Sequence, residues 1–226
     1  MTPPPLRVLL LPGLDGTGRL FAPLLPALPN NWRPEVVAYP GAEVLGYDAL
    51  EGQLRAAFAG EDTLVIAESF SGPLAIRLAA DPPPGLRAVV LVATFARPPA
   101  PRLATRIFRV LPPVPPRIGV RMLLTGRGAP ELVDGVREAL REVAPEVIRA
   151  RVAALGTVDV RAELAGLRMP LLILEASRDR LVAHRLLAEA PEHAGRRRIE
   201  GPHLLLQRAP QPCVEAIVEF VAAQQW

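Results

Sequence analysis

Short apolar runs recur along the chain with helix-length segments between them, and this alternation limits the possible folds more than any other feature. Runs at 6–11, 35–38, 63–67, 88–93, 170–175 and 196–200 read as about six strands. Their near-continuous apolar character suits strands buried on both faces, as in a mostly parallel sheet covered by helices on each side. Segments 20–28, 47–59, 72–80, 183–190 and 212–224 have the length and spacing of those helices. The rhythm breaks once, because 76 residues separate the run ending at Ala93 from the one starting at Pro170. The first part of that interval, 97–116, carries seven prolines and cannot be one long helix, while 130–144 and 145–155 read as amphipathic helices opened by proline. A small helical cap inserted at about 97–160 is expected, within one domain spanning 1–226.

Composition narrows the function. Half the 226 residues are hydrophobic, 22% are charged and the mean hydropathy is +0.24, which excludes a disordered chain. No apolar run is long enough for a bilayer crossing, and the start Met-Thr-Pro-Pro-Pro lacks the basic and apolar regions of a signal peptide, so a cytoplasmic protein is expected. The single Cys213 can build neither a disulfide nor a metal cluster and reads as a core filler. All 26 basic residues are arginine, and no acidic residue lies between Asp81 and Glu131, where Arg87, Arg97, Arg102, Arg106, Arg109, Arg117, Arg121 and Arg127 fall. A GC-rich coding bias is one reading of these arginines. An anionic partner, such as an acyl-carrier protein or an anionic lipid surface, is the other. Nucleic acid is not expected, since no binding motif accompanies them and aromatic residues make up only 4% of the chain.

The third strand runs straight into Glu68-Ser69-Phe70-Ser71-Gly72 and then a helix, which puts Ser69 at a sharp strand-to-helix turn. Such a turn exposes a nucleophilic hydroxyl and needs small residues two before and two after it, here Ala67 and Ser71. A helix-capping serine fits the same pattern, and Ser71 is a rival nucleophile. A hydroxyl nucleophile needs a base, and the base an orienting acid. Asp179 follows the fifth strand by a short loop, and His203 follows the sixth. In a parallel sheet all these strand ends share one edge, where ligands bind. Glu175 is the alternative acid, and His184 and His193 read as surface positions. The loop Leu11-Pro12-Gly13-Leu14-Asp15-Gly16-Thr17-Gly18 after the first strand lacks the GxGxxG spacing and the lysine of phosphate-binding loops. It suits an oxyanion loop, with backbone N–H groups of Leu14 and Phe70 aimed at developing negative charge.

With these elements in place the chain resembles the α/β-hydrolase fold family. The resemblance rests on LPGLDG at 11–16, AESFSG at 67–72, SRDRLV at 177–182 and GPH at 201–203. The LPGLDGTG start is also similar to that of plant phytyl ester synthases and their bacterial relatives, which implies esters of long lipids. The chain departs from the family at Pro12, where many members have histidine, and at the elbow glycines, here Ala67 and Ser71; a start at Leu6 trims the sheet to six strands. The resemblance implies a serine hydrolase acting on a carboxylic ester or thioester through Ser69, His203 and Asp179, with no cofactor and no metal. It also allows acyl transfer to an alcohol, a cofactor-free perhydrolase, an esterase for methyl esters on acyl-carrier protein, or a ligand receptor that keeps the fold without catalysis.

Overall fold

Residues 6–99 and 112–224 are described by a computed structural model. Six strands, β1 (Leu6–Leu11), β2 (Trp32–Val36), β3 (Thr63–Glu68), β4 (Leu86–Val92), β5 (Leu171–Ala176) and β6 (Gly195–Ile199), form one sheet in the order β2-β1-β3-β4-β5-β6. Every pairing is parallel. The four inner strands are the continuous apolar runs of the sequence. Their alternate side chains enter two cores: Leu9, Val65, Leu91 and Ile173 on one face, Val8, Ile66, Val90 and Leu172 on the other.

The edge strands are polar; β6 lies within one residue of the expected 196–200, but at β2 the apolar pattern misleads. The second strand is Trp32–Val36, not 35–38, and pairs Leu6 with Trp32 and Val8 with Pro34. An edge strand bonds on one side only, so it accommodates Pro34, which has no N–H, and exposed charge. Val37 lies beyond the strand, although its N–H still reaches the Leu10 carbonyl at 3.0 Å.

Helices α1 (Tyr47–Ala56) and α2 (Gly72–Ala80) cover the first face. Between β4 and β5 lie α3 (Arg117–Val120), which runs on into a π turn at Arg121–Thr125, then α4 (Pro130–Arg141), α5 (Pro145–Leu155) and α6 (Arg161–Ala165). Helices α7 (Leu205–Arg208) and α8 (Pro210–Ala222) follow β6, and α8 buries Cys213, Val214 and Ile217 against the second face. Burial pushes the Cys213 thiol up to about 12. The expected helix at 20–28 is instead two short 3-10 turns, Arg19–Phe21 and Leu25–Ala27, because Pro23 and Pro26 remove the N–H groups a continuous helix would use. The segment 183–190 likewise holds one 3-10 turn, His184–Leu187. Helix α4 stops at Arg141, short of 144, and the Ala144 N–H turns away to the Gly41 carbonyl at 2.8 Å. Pro145 then opens α5, and a residue before proline avoids the helical region. Among the described residues no helix is long and apolar enough to cross a membrane. Most of the proline-rich segment, with Arg102, Arg106 and Arg109, lies outside them.

Candidate active site

Ser69 directly follows β3 with φ +50°, a left-handed conformation that costs a non-glycine residue energy and is held by its surroundings. Three local features hold it. The Thr94 hydroxyl, just past β4, donates to the Ser69 carbonyl. Gly72 lets that threonine approach, since a Cβ there would lie 1.9 Å from Thr94 Oγ1. The Tyr47 hydroxyl donates to the Phe70 carbonyl at 3.0 Å, with its ring stacked on Phe70 at 4.8 Å.

His203 reaches the same point from the loop after β6. Its Nε2 lies 2.9 Å from Ser69 Oγ and its Nδ1 2.8 Å from Asp179 Oδ2. The His203 and Asp179 side chains are 2% and 3% exposed, so the pair is screened from water. The other carboxylate oxygen of Asp179 accepts the Leu181 and Val182 N–H groups, both at 2.8 Å. The two loops are stitched together by Ser177 N–H to the Ile199 carbonyl and Arg178 N–H to the Gly201 carbonyl, each 2.9 Å. A carboxylate, an imidazole and a partly exposed hydroxyl thus stand in one line. In such a line the imidazole can take the hydroxyl proton while the carboxylate fixes its tautomer.

The rival residues are engaged elsewhere. Ser71 is fully buried, with its hydroxyl donating to the Pro12 carbonyl and 2.7 Å from the Tyr39 hydroxyl. Glu175 pairs with Arg196 at 3.0 Å and lies 3.6 Å from His184 Nδ1. Leu14 N–H donates to no backbone carbonyl among the described residues, and Phe70 lies in the first turn after Ser69, where N–H groups have no partner within the turn.

Other residues around the site take their parts in it only through the packing of the fold. Glu68 is buried beneath Ser69 and accepts the Gln207 amide at 3.0 Å. Burial raises its carboxyl to about 7. Thr94 and Gly72 meet only through the β3–β4 pairing, although a glycine at the start of α2 was a readable hint. Arg151 sits on an amphipathic helix, where an arginine reads as surface, yet it is 2% exposed. Among the described residues no cluster of three or more His, Cys, Asp or Glu side chains could hold a metal ion.

The family model described as serine aminopeptidase, S33, matches residues 44–201, which include Ser69 and Asp179 and end just before His203. The chain belongs to this family of α/β-hydrolases. Solved structures agree on the fold. A bromoperoxidase from Bacillus anthracis superposes with a TM-score of 0.82 at 17% identity, over 96% of this chain and 91% of that one. An enol-lactonase from Burkholderia xenovorans gives 0.78 at 17%, over 96% and 91%. A thermophilic esterase from Thermogutta terrifontis gives 0.78 at 20%, over 96% and 89%. At these identities the likeness shows the fold alone. No curated protein matches the chain.

Proposed function

We propose that this α/β-hydrolase cleaves carboxylic esters or thioesters by way of an acyl-enzyme. Ser69 Oγ attacks the acyl carbon and His203 takes its proton. Asp179 holds the imidazole and stabilises its positive charge. The Leu14 and Phe70 N–H groups receive the developing oxyanion. His203 then protonates the leaving group, and water releases the acyl chain by the same steps. The observation that carries this reading is the continuous line Asp179–His203–Ser69, with bonds of 2.8 and 2.9 Å ending on a hydroxyl in a left-handed turn. The helices between β4 and β5 act as the cap that shapes the acyl pocket.

Esters are favoured over peptide N-termini, because a substrate ammonium needs a spare carboxylate. Asp15 is turned to Thr17, Glu68 to Gln207 and Asp179 to His203. The test is labelling with a fluorophosphonate, alongside rates on p-nitrophenyl esters of graded acyl length and on aminoacyl p-nitroanilides. Attachment at Ser69 is expected, with Ser69→Ala losing about 10⁴- to 10⁶-fold in turnover and Asp179→Asn about 10⁴-fold. Glu175→Gln should retain most activity. Labelling at Ser71, or anilides cleaved faster than every ester, would overturn the reading.

A further inference from the structure

Arg151, from α5, brings a positive charge into the loop after β1. Its Nη1 donates to the carbonyls of Leu14 at 3.1 Å and Asp15 at 2.6 Å, and its Nη2 to that of Pro40 at 3.0 Å. The guanidinium carbon lies 5.8 Å from the centre of the Tyr39 ring. The Asp15 carboxylate is turned away, accepting the Thr17 N–H at 2.9 Å and the Thr17 hydroxyl at 2.6 Å. A buried cation costs several kcal/mol unless it is well compensated. Here backbone carbonyls supply much of the compensation, and the loop is shaped to offer them. Gly16 has φ +70°, and a Cβ there would sit 2.5 Å from Arg151 Nη1.

The held peptide groups lead to the Leu14 N–H. The Asp15 carbonyl and the Gly16 N–H belong to one trans peptide and point in opposite directions. Gly16 N–H donates to the Gly13 carbonyl at 3.1 Å. That carbonyl shares the next trans peptide with the Leu14 N–H, which therefore points away from it. The line runs from guanidinium to Asp15 carbonyl, through Gly16 N–H to Gly13 carbonyl, and out at Leu14 N–H. Hydrogen bonds in such a chain polarise one another, on the order of 10–30% per bond. A fixed charge at the far end both orients the last donor and makes it more positive. The loop is also tied to the elbow, since Tyr39 N–H donates to the Gly16 carbonyl at 2.7 Å and the Tyr39 hydroxyl meets Ser71 Oγ at 2.7 Å.

We infer that Arg151 is a positioning residue for the oxyanion loop, fixing and polarising the Leu14 N–H through two peptide groups. The inference rests on the ester-hydrolase reading of Ser69. It gives the helices between β4 and β5 a part in transition-state stabilisation besides shaping a pocket.

The experiment compares the full-length chain with Arg151→Met and Arg151→Lys, using p-nitrophenyl butyrate as substrate, an alkyl trifluoromethyl ketone as oxyanion-forming inhibitor, and the Leu14 amide resonance. Removing one oxyanion donor outright costs about 10²- to 10³-fold in kcat, so a donor left in place but misaimed should cost about 10- to 100-fold. In Arg151→Met that loss should fall on kcat, with KM within about twofold, and ketone affinity should fall by the same factor. The Leu14 amide proton should move upfield. Arg151→Lys keeps the charge without the fork, so it should recover part of kcat and serves as the readout if the methionine variant does not fold. A folded Arg151→Met with full kcat and an unmoved Leu14 resonance overturns the inference. So does a rise in KM alone, in either variant, with ketone affinity intact. Should the unsubstituted chain hydrolyse no ester while the Leu14 resonance still shifts in Arg151→Met, the hydrolase reading falls and the relay stands.

Discussion

Glu68 shows how the environment of one side chain can act on the whole protein. It adjoins Ser69, yet its carboxyl faces the second core, where one oxygen accepts the Gln207 amide and the other has no partner among the described residues. Burial is the largest cause of its raised pKa, with the Gln207 hydrogen bond and the His203 charge opposing it. The folded value of about 7 lies above the ordinary 4.5. The native state therefore holds this proton more tightly than the unfolded chain does. Its contribution to stability is fully present below about pH 4.5 and is lost as pH rises through 7. A shift of this size corresponds to about 3 kcal/mol at full ionisation. Glu68→Gln removes the titration, so the variant-minus-parent difference in unfolding free energy should rise by up to that amount between pH 5 and pH 8. Denaturant titrations at several pH values measure it. A difference that stays flat across that range would show that Glu68 does not titrate in the folded protein.

At the scale of elements, what the sequence revealed best was burial, and burial marks the strands at the centre of the sheet; the exposed β6 was nevertheless placed within one residue. β1, β3, β4 and β5 are apolar because both their faces are covered, so they were found within two residues of their ends. β2 and β6 lie at the edges, and one of them was placed three residues late because Val36 and Val37 drew attention away from Trp32 and Pro34. Helices opened by proline were legible at α4 and α5, where the ring occupies a position whose N–H is unpaired anyway. Proline inside 20–28 does the reverse. Ser69, Asp179 and His203 were legible because each follows a readable strand. Arg151 was not, because its role depends on how α5 lies against a loop more than a hundred residues earlier in the chain. The Gly72–Thr94 approach also spans two elements, and it carries a prediction. In Gly72→Ala the new methyl must push Thr94 aside, breaking its bond to the Ser69 carbonyl. Overpacking of this kind costs about 1–3 kcal/mol. Denaturant unfolding should show that loss, and turnover should fall with it as the elbow relaxes. A variant with unaltered stability and kcat would mean that Thr94 moves at no cost and does not support the elbow.

At the scale of the molecule the question is whether the helices between β4 and β5 form a separate unit or are part of the body. They have their own cluster, with Val120, Val133, Val136, Leu140, Val147 and Ile148, but Leu204, beside His203, is buried in it and Leu14 and Leu20 pack against it. The Leu204 N–H donates to the Leu124 carbonyl at 3.0 Å, and Arg151 binds the loop after β1. These ties fasten the helices to loops leaving β1 and β6 at the edge of the sheet that carries Ser69. Separating the helices from the body would break the Arg151 bonds and uncover Leu204, so the two parts are expected to unfold together. Trp32 reports from the far side, on edge strand β2 and packed against the second core. In a Trp226→Phe background Trp32 is the sole indole, since the sequence has two tryptophans. Leu140→Ala, in the helical cluster, removes a buried side chain at a cost of about 2–5 kcal/mol. If the chain unfolds as one unit, that substitution lowers the denaturation midpoint seen by Trp32 fluorescence and by far-ultraviolet ellipticity by the same amount. An early ellipticity step that moves with Leu140→Ala while the Trp32 midpoint stays fixed would make the helices an independent unit. Their grip on the Leu14 loop would then be released before the sheet unfolds, and activity would be lost at the first step.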